Sequence, residues 1–466
     1  MVGAYSVARL TGGREGASSL VLPRPEVTEI VETIRAAGYE CWCVGGAVRD
    51  ALLGHPHLDW DLATSARPEQ VQKLFKRTVP VGIEFGTVGV LDRNKVMHEV
   101  TTFRKDVKTD GRHAVVEFGA SLDDDLARRD FTINAIAFDP ASGELRDPFD
   151  GQTDLKRGII RAVGVPVDRM TEDRLRALRG IRFAARFRFH IEPGTWSAIK
   201  ASAPHLGRLS AERVKQELEK TMQQVERPST ALEWWRESGA LAQLVPLIAN
   251  APSARFRALD LLASGELRDA GGPGETTPDL KGATINRLAM LFFGDDPKQV
   301  EKAARALKFS NTDIGWIVGL ATARRAVGAA VDEVLATRAA EAAEIRPWVA
   351  AVGRTRTDSF CALNGALHLA QTVTPSDETG KWAVDLALAA RLDAFRRQAV
   401  EIAYRDPIEI ADLAVDGEDL RAAGVPAGPE LGRMLRALLQ RVIDDPAENT
   451  VERLLRAARV ATGREN

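Results

Sequence analysis

The sequence predicts an α/β head followed by an all-helical remainder, and three observations carry that reading. From about residue 25 to 163, short apolar runs bounded by glycine alternate with helical periodicity. Beyond Asp168, helix-period patterns follow one another to the C-terminus with little β-branched alternation and no fixed-period repeat. The chain has 466 residues, 45% hydrophobic and 27% charged, a globular composition too long for one ordinary domain.

Taken in order, residues 1–24 read as a frayed leader. Residues 27–37 have helical spacing, and 39–44 form a short apolar strand entering the turn Gly45-Gly46. Residues 82–91 and 95–103 read as two strands joined at Asp92-Arg93-Asn94, and 131–139 as a further strand or strand–helix element. In the helical remainder, breaks fall at Pro193-Gly194, Pro204, Pro228, 264–284 and 372–380. The resulting division is a head over 25–165, a helical neck over 166–230, a body over 231–370 and a tail over 371–466.

Composition excludes several classes. With 63 Lys plus Arg against 65 Asp plus Glu, the net charge is -2, so any polyanion must meet a local patch. Residues 151–230 supply one, with 16 basic and 9 acidic residues, although a solvated helix face has the same look. Three cysteines form no disulfide framework or zinc spacing, and Cys41 and Cys43 read as buried core thiols. No run of eighteen apolar residues occurs, and the N-terminus lacks a signal-peptide core, which makes a reducing cytoplasm the expected setting.

The chemistry concentrates first at Gly45-Gly46, with Arg49 in the following helical turn, and then at Asp59-Trp60-Asp61. A Gly-Gly strand-to-helix turn lets backbone N–H groups approach an anion, and Arg49 would clamp a phosphate. On a strand, Asp59 and Asp61 face one side, where two carboxylates repel unless a cation such as Mg²⁺ sits between them. Taken singly, a Gly-Gly turn is more often only a turn, and an Asp-x-Asp only a solvated loop.

Residues 45–64 (GGAVRDALLGHPHLDWDLAT) resemble the signature of nucleotidyltransferases of the DNA polymerase β type. More closely, the chain resembles the class II tRNA nucleotidyltransferases (CCA-adding enzymes) and the related bacterial poly(A) polymerases. The likeness recurs at 83–91 (IEFGTVGVL), 99–104 (EVTTFR), 123–137 (DDDLARRDFTINAIA), 172–184 (EDRLRALRGIRFA), 209–217 (LSAERVKQE) and 416–435 (DGEDLRAAGVPAGPELGRML), and is weak between 240 and 405. It implies an α/β head of the polymerase β nucleotidyltransferase type followed by an all-α neck, body and tail. The partners it implies are CTP, ATP, Mg²⁺ and the acceptor arm and elbow of tRNA.

Glu99 would be a third carboxylate, a metal ligand or a base for the attacking 3′-hydroxyl; pairing with Arg104 or Lys95 is the plain alternative. The resemblance makes Arg129 and Asp130 the ribose-selecting pair, with Asn134 buttressing their loop, while a structural Arg–Asp bridge also fits. It makes Asp173 and Arg176 the base readers, one helical turn apart. A carboxylate accepts and a guanidinium donates, matching the amino and ring-nitrogen edge that cytosine and adenine share, whereas uracil and guanine present the reverse. Without that context the pair is an ordinary helix salt bridge. The resemblance also makes Arg179 and Arg182 contacts to the triphosphate, and Glu172, Glu212 and Arg213 braces of the helix.

Among the relatives, the 82–87 stretch (GIEFGT) lacks the paired basic residues of poly(A) polymerases, although Phe85 stands where His is commoner. The 104–118 loop keeps Asp110-Gly111-Arg112-His113, which CC-only enzymes lack in part. The expected activity is C, C and A addition from CTP and ATP without a nucleic-acid template, with CC-only, A-only or poly(A) addition, or an inactive RNA-binding module, as alternatives.

Overall fold

The computed structural model describes residues 22–55, 60–109, 114–263, 280–372, 374–376, 381–383 and 385–461. The leader to residue 21, Asp59, the 110–113 loop core and most of the 264–284 and 372–380 breaks lie outside them. The chain divides into two compact units, Met1–Arg213 with Trp234–Leu244 and Val214–Glu233 with Val245–Asn466.

The first unit opens with α1 (Pro25–Ala36), which starts at a proline where no N–H partner is needed. Its Val27, Ile30, Val31 and Ile34 are buried along one face. There follow β1 (Cys41–Val44), α2 (Gly46–Leu52), β2 (Asp61–Thr64), α3 (Pro68–Leu74), β3 (Thr78–Gly82), β4 (Thr87–Leu91) and β5 (Met97–Thr102). A hairpin, β6 (Arg104–Thr109) and β7 (Ala114–Phe118), leads to α4 (Leu122–Ala127), whose N-terminus Ser121 and Asp124 close as a capping box. With β8 (Ala137–Phe138) and β9 (Leu145–Arg146), the main sheet has the order β3-β4-β5-β2-β1-β8-β9. Its β2–β5 pair is parallel and the other pairs are antiparallel.

Two expectations differ from this outcome. Residues 82–91 are not one strand: β3 ends at Gly82, Ile83–Phe85 form a 3₁₀ turn, and Gly86 at φ 85° restarts the chain as β4. The 131–139 segment is a 3₁₀ turn, Thr132–Asn134, before the short β8.

Alternation sorts the sheet into two faces. One carries the buried Cys41, Cys43, Leu62, Val88 and Val100, and α1 and α3 pack on the sheet. The free thiols are core groups, and burial pushes Cys41 up to about 12. On the other face Val44, Ala63 and Ala137 form a core with Phe103, Leu122, Leu126 and Val163.

After α5 (Gly151–Arg157), β10 (Ile159–Ile160) pairs with β11 (His190–Ile191), enclosing α6 (Pro166–Glu172) and α7 (Leu175–Phe187) in sequence. Gly180 lets α7 press onto the head: a Cβ there would lie 2.9 Å from the Phe131 ring. The break at Pro193 is the start of α8 (Pro193–Ser202), capped by Glu192. Next come α9 (Ala211–Gln224), α10 (Pro228–Glu237) and α11 (Ala240–Leu244).

Among its described residues, the second unit is mainly helical, with a short strand pair, Thr374–Ser376 with Lys381–Ala383. It contains α12 (Ser253–Ala263), α13 (Leu280–Leu291), α14 (Pro297–Ala306), α15 (Asn311–Thr337), α16 (Ala342–Val352), α17 (Thr357–Thr372) and α18 (Leu386–Arg405). The helix α15 is long and apolar enough to cross a membrane. Its Ile317, Leu320, Val331 and Leu335 are instead buried, and it packs with α13, α14, α16 and α17, as a core helix does. A smaller core of Leu420, Leu438, Val442 and Leu454 joins α19 (Gly417–Ala422), α20 (Pro429–Asp444) and α21 (Val451–Ala461).

Candidate active site

Gly45 ends β1 at φ 77°, a conformation L side chains rarely adopt. A Cβ there would lie 2.9 Å from Arg129 Nη1 and 3.7 Å from Asp61 Oδ2. The missing side chain therefore lets a backbone turn, a guanidinium and a carboxylate converge. Asp61 opens β2 opposite Val44. The parallel register pairs Leu62 with Val100, so one step earlier Asp61 stands beside Glu99 on the same face. Glu99 in turn faces Gly89 of β4. Asp61 is exposed and Glu99 half-buried, while His98 and Val100 on either side of Glu99 are buried.

Among the described residues, no three His, Cys, Asp or Glu gather as a metal-holding group. The donor chemistry nonetheless suits Mg²⁺: Asp61 and Glu99 offer hard carboxylate oxygens in adjacent register, and such an ion keeps water and substrate oxygens for its remaining positions.

Arg49 is not the open clamp its place in the sequence suggests. It is 4% exposed, bonds Asp50 at 2.8 Å and Asn134 Oδ1 at 2.6 Å, and lies 5.1 and 4.8 Å from the ring centroids of Phe183 and Phe187. It ties α2 to the 3₁₀ turn and to α7 (cation–π contacts included).

That turn is organised by Asp130. Its carboxylate accepts from Phe131 N and Asn134 Nδ2, both at 2.9 Å, and from Arg179 Nε at 2.8 Å. Burial raises its pKa, but Arg179, Asn134 and Arg176 outweigh burial and hold it at about 2. Arg129 is oriented by the buried Asp125 at 3.2 Å, which also takes Arg128 at 2.9 Å. Asp125 went unremarked in the sequence, although its i, i+4 spacing to Arg129 is the available signal.

Asp173 and Arg176 do not share a helix. Asp173 is extended, at φ -145° and ψ 106°, in the joint between α6 and α7. Its Oδ1 accepts from Leu175 N at 3.0 Å, a local bond that competes with helix, and its Oδ2 accepts from Arg213 at 2.8 Å. Arg176 donates to Glu172 at 2.6 Å and to the Arg128 carbonyl at 2.8 Å. Arg169 bonds Glu172 and the Ala127 carbonyl. Two arginines thus occupy carbonyls at the end of α4, where cations are favoured. Arg182 is 3% exposed, its guanidinium 4.4 Å from the Phe183 ring centroid, so it is interior. Glu212 is exposed on the first turn of α9.

Comparison with known proteins gives this arrangement a context. A family model described as "Poly A polymerase head domain" matches residues 41–161. A model described as "Probable RNA and SrmB- binding site of polymerase A" matches 188–252, and one described as "tRNA nucleotidyltransferase domain 2 putative" matches 382–458. The chain is 35% identical over 438 residues to a CCA-adding enzyme of Latilactobacillus sakei, covering 93% of this chain and 97% of that one. A CCA-adding enzyme of Lactiplantibacillus plantarum is 35% identical over 441 residues, at 94% and 96% coverage. The crystal structure of the Bacillus stearothermophilus CCA-adding enzyme in complex with CTP superposes with a TM-score of 0.70 at 29% identity, covering 94% of this chain and 98% of that one. The α/β unit is a head of the nucleotidyltransferase type. The chain belongs to the family of CCA-adding enzymes, which are tRNA nucleotidyltransferases.

Proposed function

We propose that this enzyme adds C, C and A in turn to the 3′ end of tRNA from CTP and ATP, without a nucleic-acid template, releasing pyrophosphate in a Mg²⁺-dependent reaction in the cytoplasm. The observation that carries the reading is 35% identity to a CCA-adding enzyme across 93% of the chain. The convergence of Gly45, Asp61 and Arg129 supports it.

In this reading the head is 25–165, the base-reading neck 166–230, the body 231–370 and the tRNA-gripping tail 371–466. Asp61, with Asp59 and Glu99, would hold Mg²⁺, which supplies positive charge against the phosphates when bound. Gly45 and Gly46 admit the triphosphate to the turn, and Arg129 faces it. Asp130 and Arg129 select the ribose 2′-hydroxyl, and Asn134 keeps Asp130 oriented. Asp173 accepts from the amino group of C or A while Arg176 donates to the ring nitrogen beside it. Arg213 and Glu172 hold those two side chains in place. The terminal 3′-hydroxyl of tRNA attacks the α-phosphate in line, its proton passes to a carboxylate, and pyrophosphate departs.

The test is a single-nucleotide gel with tRNA ending at the discriminator base, at C and at CC, offered CTP, ATP or both. Growth by C, C and A is the expected outcome, absent in Asp61→Ala. Arrest after CC, or extension of only the CC-ended tRNA, would mean partial addition, and a long ladder with ATP alone would mean poly(A) synthesis.

A further inference from the structure

The sheet face that carries Asp61 and Glu99 continues into an exposed apolar ledge. On β5, Met97 lies on the same side as Glu99, two residues away. On β4, Gly89 stands opposite Glu99 and Val79 of β3 stands opposite Gly89. A Cβ at Gly89 would lie 2.8 Å from Met97 Sδ and 2.9 Å from Val81 Cγ2, so these side chains close over the glycine from two sides. The irregularity in the β3–β4 register between Pro80 and Gly82 turns Val81 onto this face. The Phe85 ring continues the surface, 3.6 Å from where a Gly82 Cβ would be. Val79, Val81, Phe85 and Met97 are 37%, 42%, 49% and 39% exposed, four large apolar groups together on a surface. Thr87 and Thr101, hydroxyl to hydroxyl at 3.0 Å, form the next cross-strand pair on this face, beyond Glu99 on the side away from Met97.

The strand order tells what belongs there. The carboxylates sit on β2 and β5, in the middle of β3-β4-β5-β2-β1-β8-β9. The Gly45 turn follows β1, and Arg129 meets that turn, so the groups facing the nucleoside triphosphate lie on the β1 flank. In-line displacement sets the nucleophile opposite the departing pyrophosphate. The strand that brings the 3′-hydroxyl therefore lies over the other flank, β5-β4-β3. Arg104 donates to the Phe85 carbonyl at the edge of the ledge; the four exposed side chains themselves are hydrocarbon, a thioether and a phenyl ring, surfaces that take the face of a base rather than a phosphate.

We infer that Val79, Val81, Phe85 and Met97 seat the 3′-terminal nucleotide of the acceptor RNA by apolar contact with its base and sugar, holding its hydroxyl toward Glu99 and Asp61. They are positioning residues, not catalytic ones. Because a base face carries no sequence information, one seat serves every successive terminus. The inference rests on the proposed reaction.

The experiment compares wild type with Phe85→Ala, Met97→Ser and the double variant, using full-length enzyme, CTP, ATP and tRNA ending at the discriminator base, C or CC. Each side chain is exposed, and a thermal melt confirms folding. The double variant is expected to raise the KM for all three tRNAs about tenfold, in the range lost base-stacking contacts give, with the KM for CTP unchanged. Direct CTP binding without tRNA should match wild type. An unchanged tRNA KM would overturn the seat. So would a rise in the KM for CTP, or a concentration-dependent dimer of wild type that the double variant loses, which would make the ledge a self-association surface. Wild type that extends no tRNA at all would instead overturn the reaction itself.

Discussion

Asp173 and Arg176, the pair we propose reads the base, show how much a single side chain's surroundings decide. Asp173 is held by Leu175 N and Arg213, while Arg176 is held by Glu172 and a carbonyl, so each is aimed separately. Asp173→Ala is expected to let UTP into the product at the expense of C/A selectivity, read by competing the four nucleotides on a CC-ended tRNA; unchanged rejection of UTP would remove Asp173 from base reading. Asp130 makes a pH-dependent contribution whose sign follows from its depressed pKa. Its carboxyl sits at about 2 when folded against 3.8 ordinarily. The resulting stabilisation, about 2 kcal/mol, is complete above about pH 4 and lost as pH falls toward 2. The stability gap between wild type and Asp130→Asn, from urea unfolding, should therefore be full at pH 7 and close below pH 4. A gap that does not change with pH would show that the charge is not what stabilises.

Among the elements, helix ends carry much of the organisation. The carbonyl end of α4 is tied down by Arg169 and Arg176, which fixes the α6–α7 joint to the segment that leads into Arg129 and Asp130. In the second unit the N-terminus of α10 is capped from another helix: Asp260 of α12 accepts from Ser229 N at 3.0 Å and from Ser229 Oγ at 2.6 Å. Burial pushes Asp260 up to about 6, against the pull of Ser229, Arg227 and Arg287. A raised carboxyl pKa means that the folded chain takes up a proton the unfolded chain lacks between about pH 4 and 6, so stability falls across that window by about 3 kcal/mol. Asp260→Asn keeps an acceptor for Ser229 N and removes the titration. Its melting temperature relative to wild type should rise between pH 4.5 and about 7. Parallel curves would refute a protonated Asp260. Elsewhere, α15 shows that a long apolar helix need not meet lipid when its apolar face is occupied by neighbouring helices, here α13, α14, α16, α17 and α18.

For the whole molecule, charge is the telling quantity. A net charge of -2 gives no general attraction to RNA, and the stretch 151–230, with its excess of basic residues, is the one we propose to meet it. Raising KCl should increase the KM for tRNA along a straight log–log line, with a much shallower slope for CTP, which meets fewer cations. Equal slopes would place RNA affinity in contacts other than phosphate pairing.

Much of this protein was legible from residues in a row. The α/β-to-helical succession, the buried thiols, the Gly-Gly turn and the spaced motifs are local patterns, and periodicity and turn chemistry report local structure. What needed the folded chain was every pairing across sequence distance. Arg49 reads as a phosphate clamp until Asn134, 85 residues away, and the α7 aromatics enclose it. Asp173 and Arg176 read as one helical face until Arg213, 40 residues on, and the local bond to Leu175 hold Asp173 extended. Asp61 and Glu99 become neighbours only through a parallel register, which no local pattern encodes. The ledge beside them arises from a strand irregularity and a glycine that two side chains from different strands cover. Spacing along the chain determines what each segment can become; burial and partners, set by packing, decide what each charge is free to do.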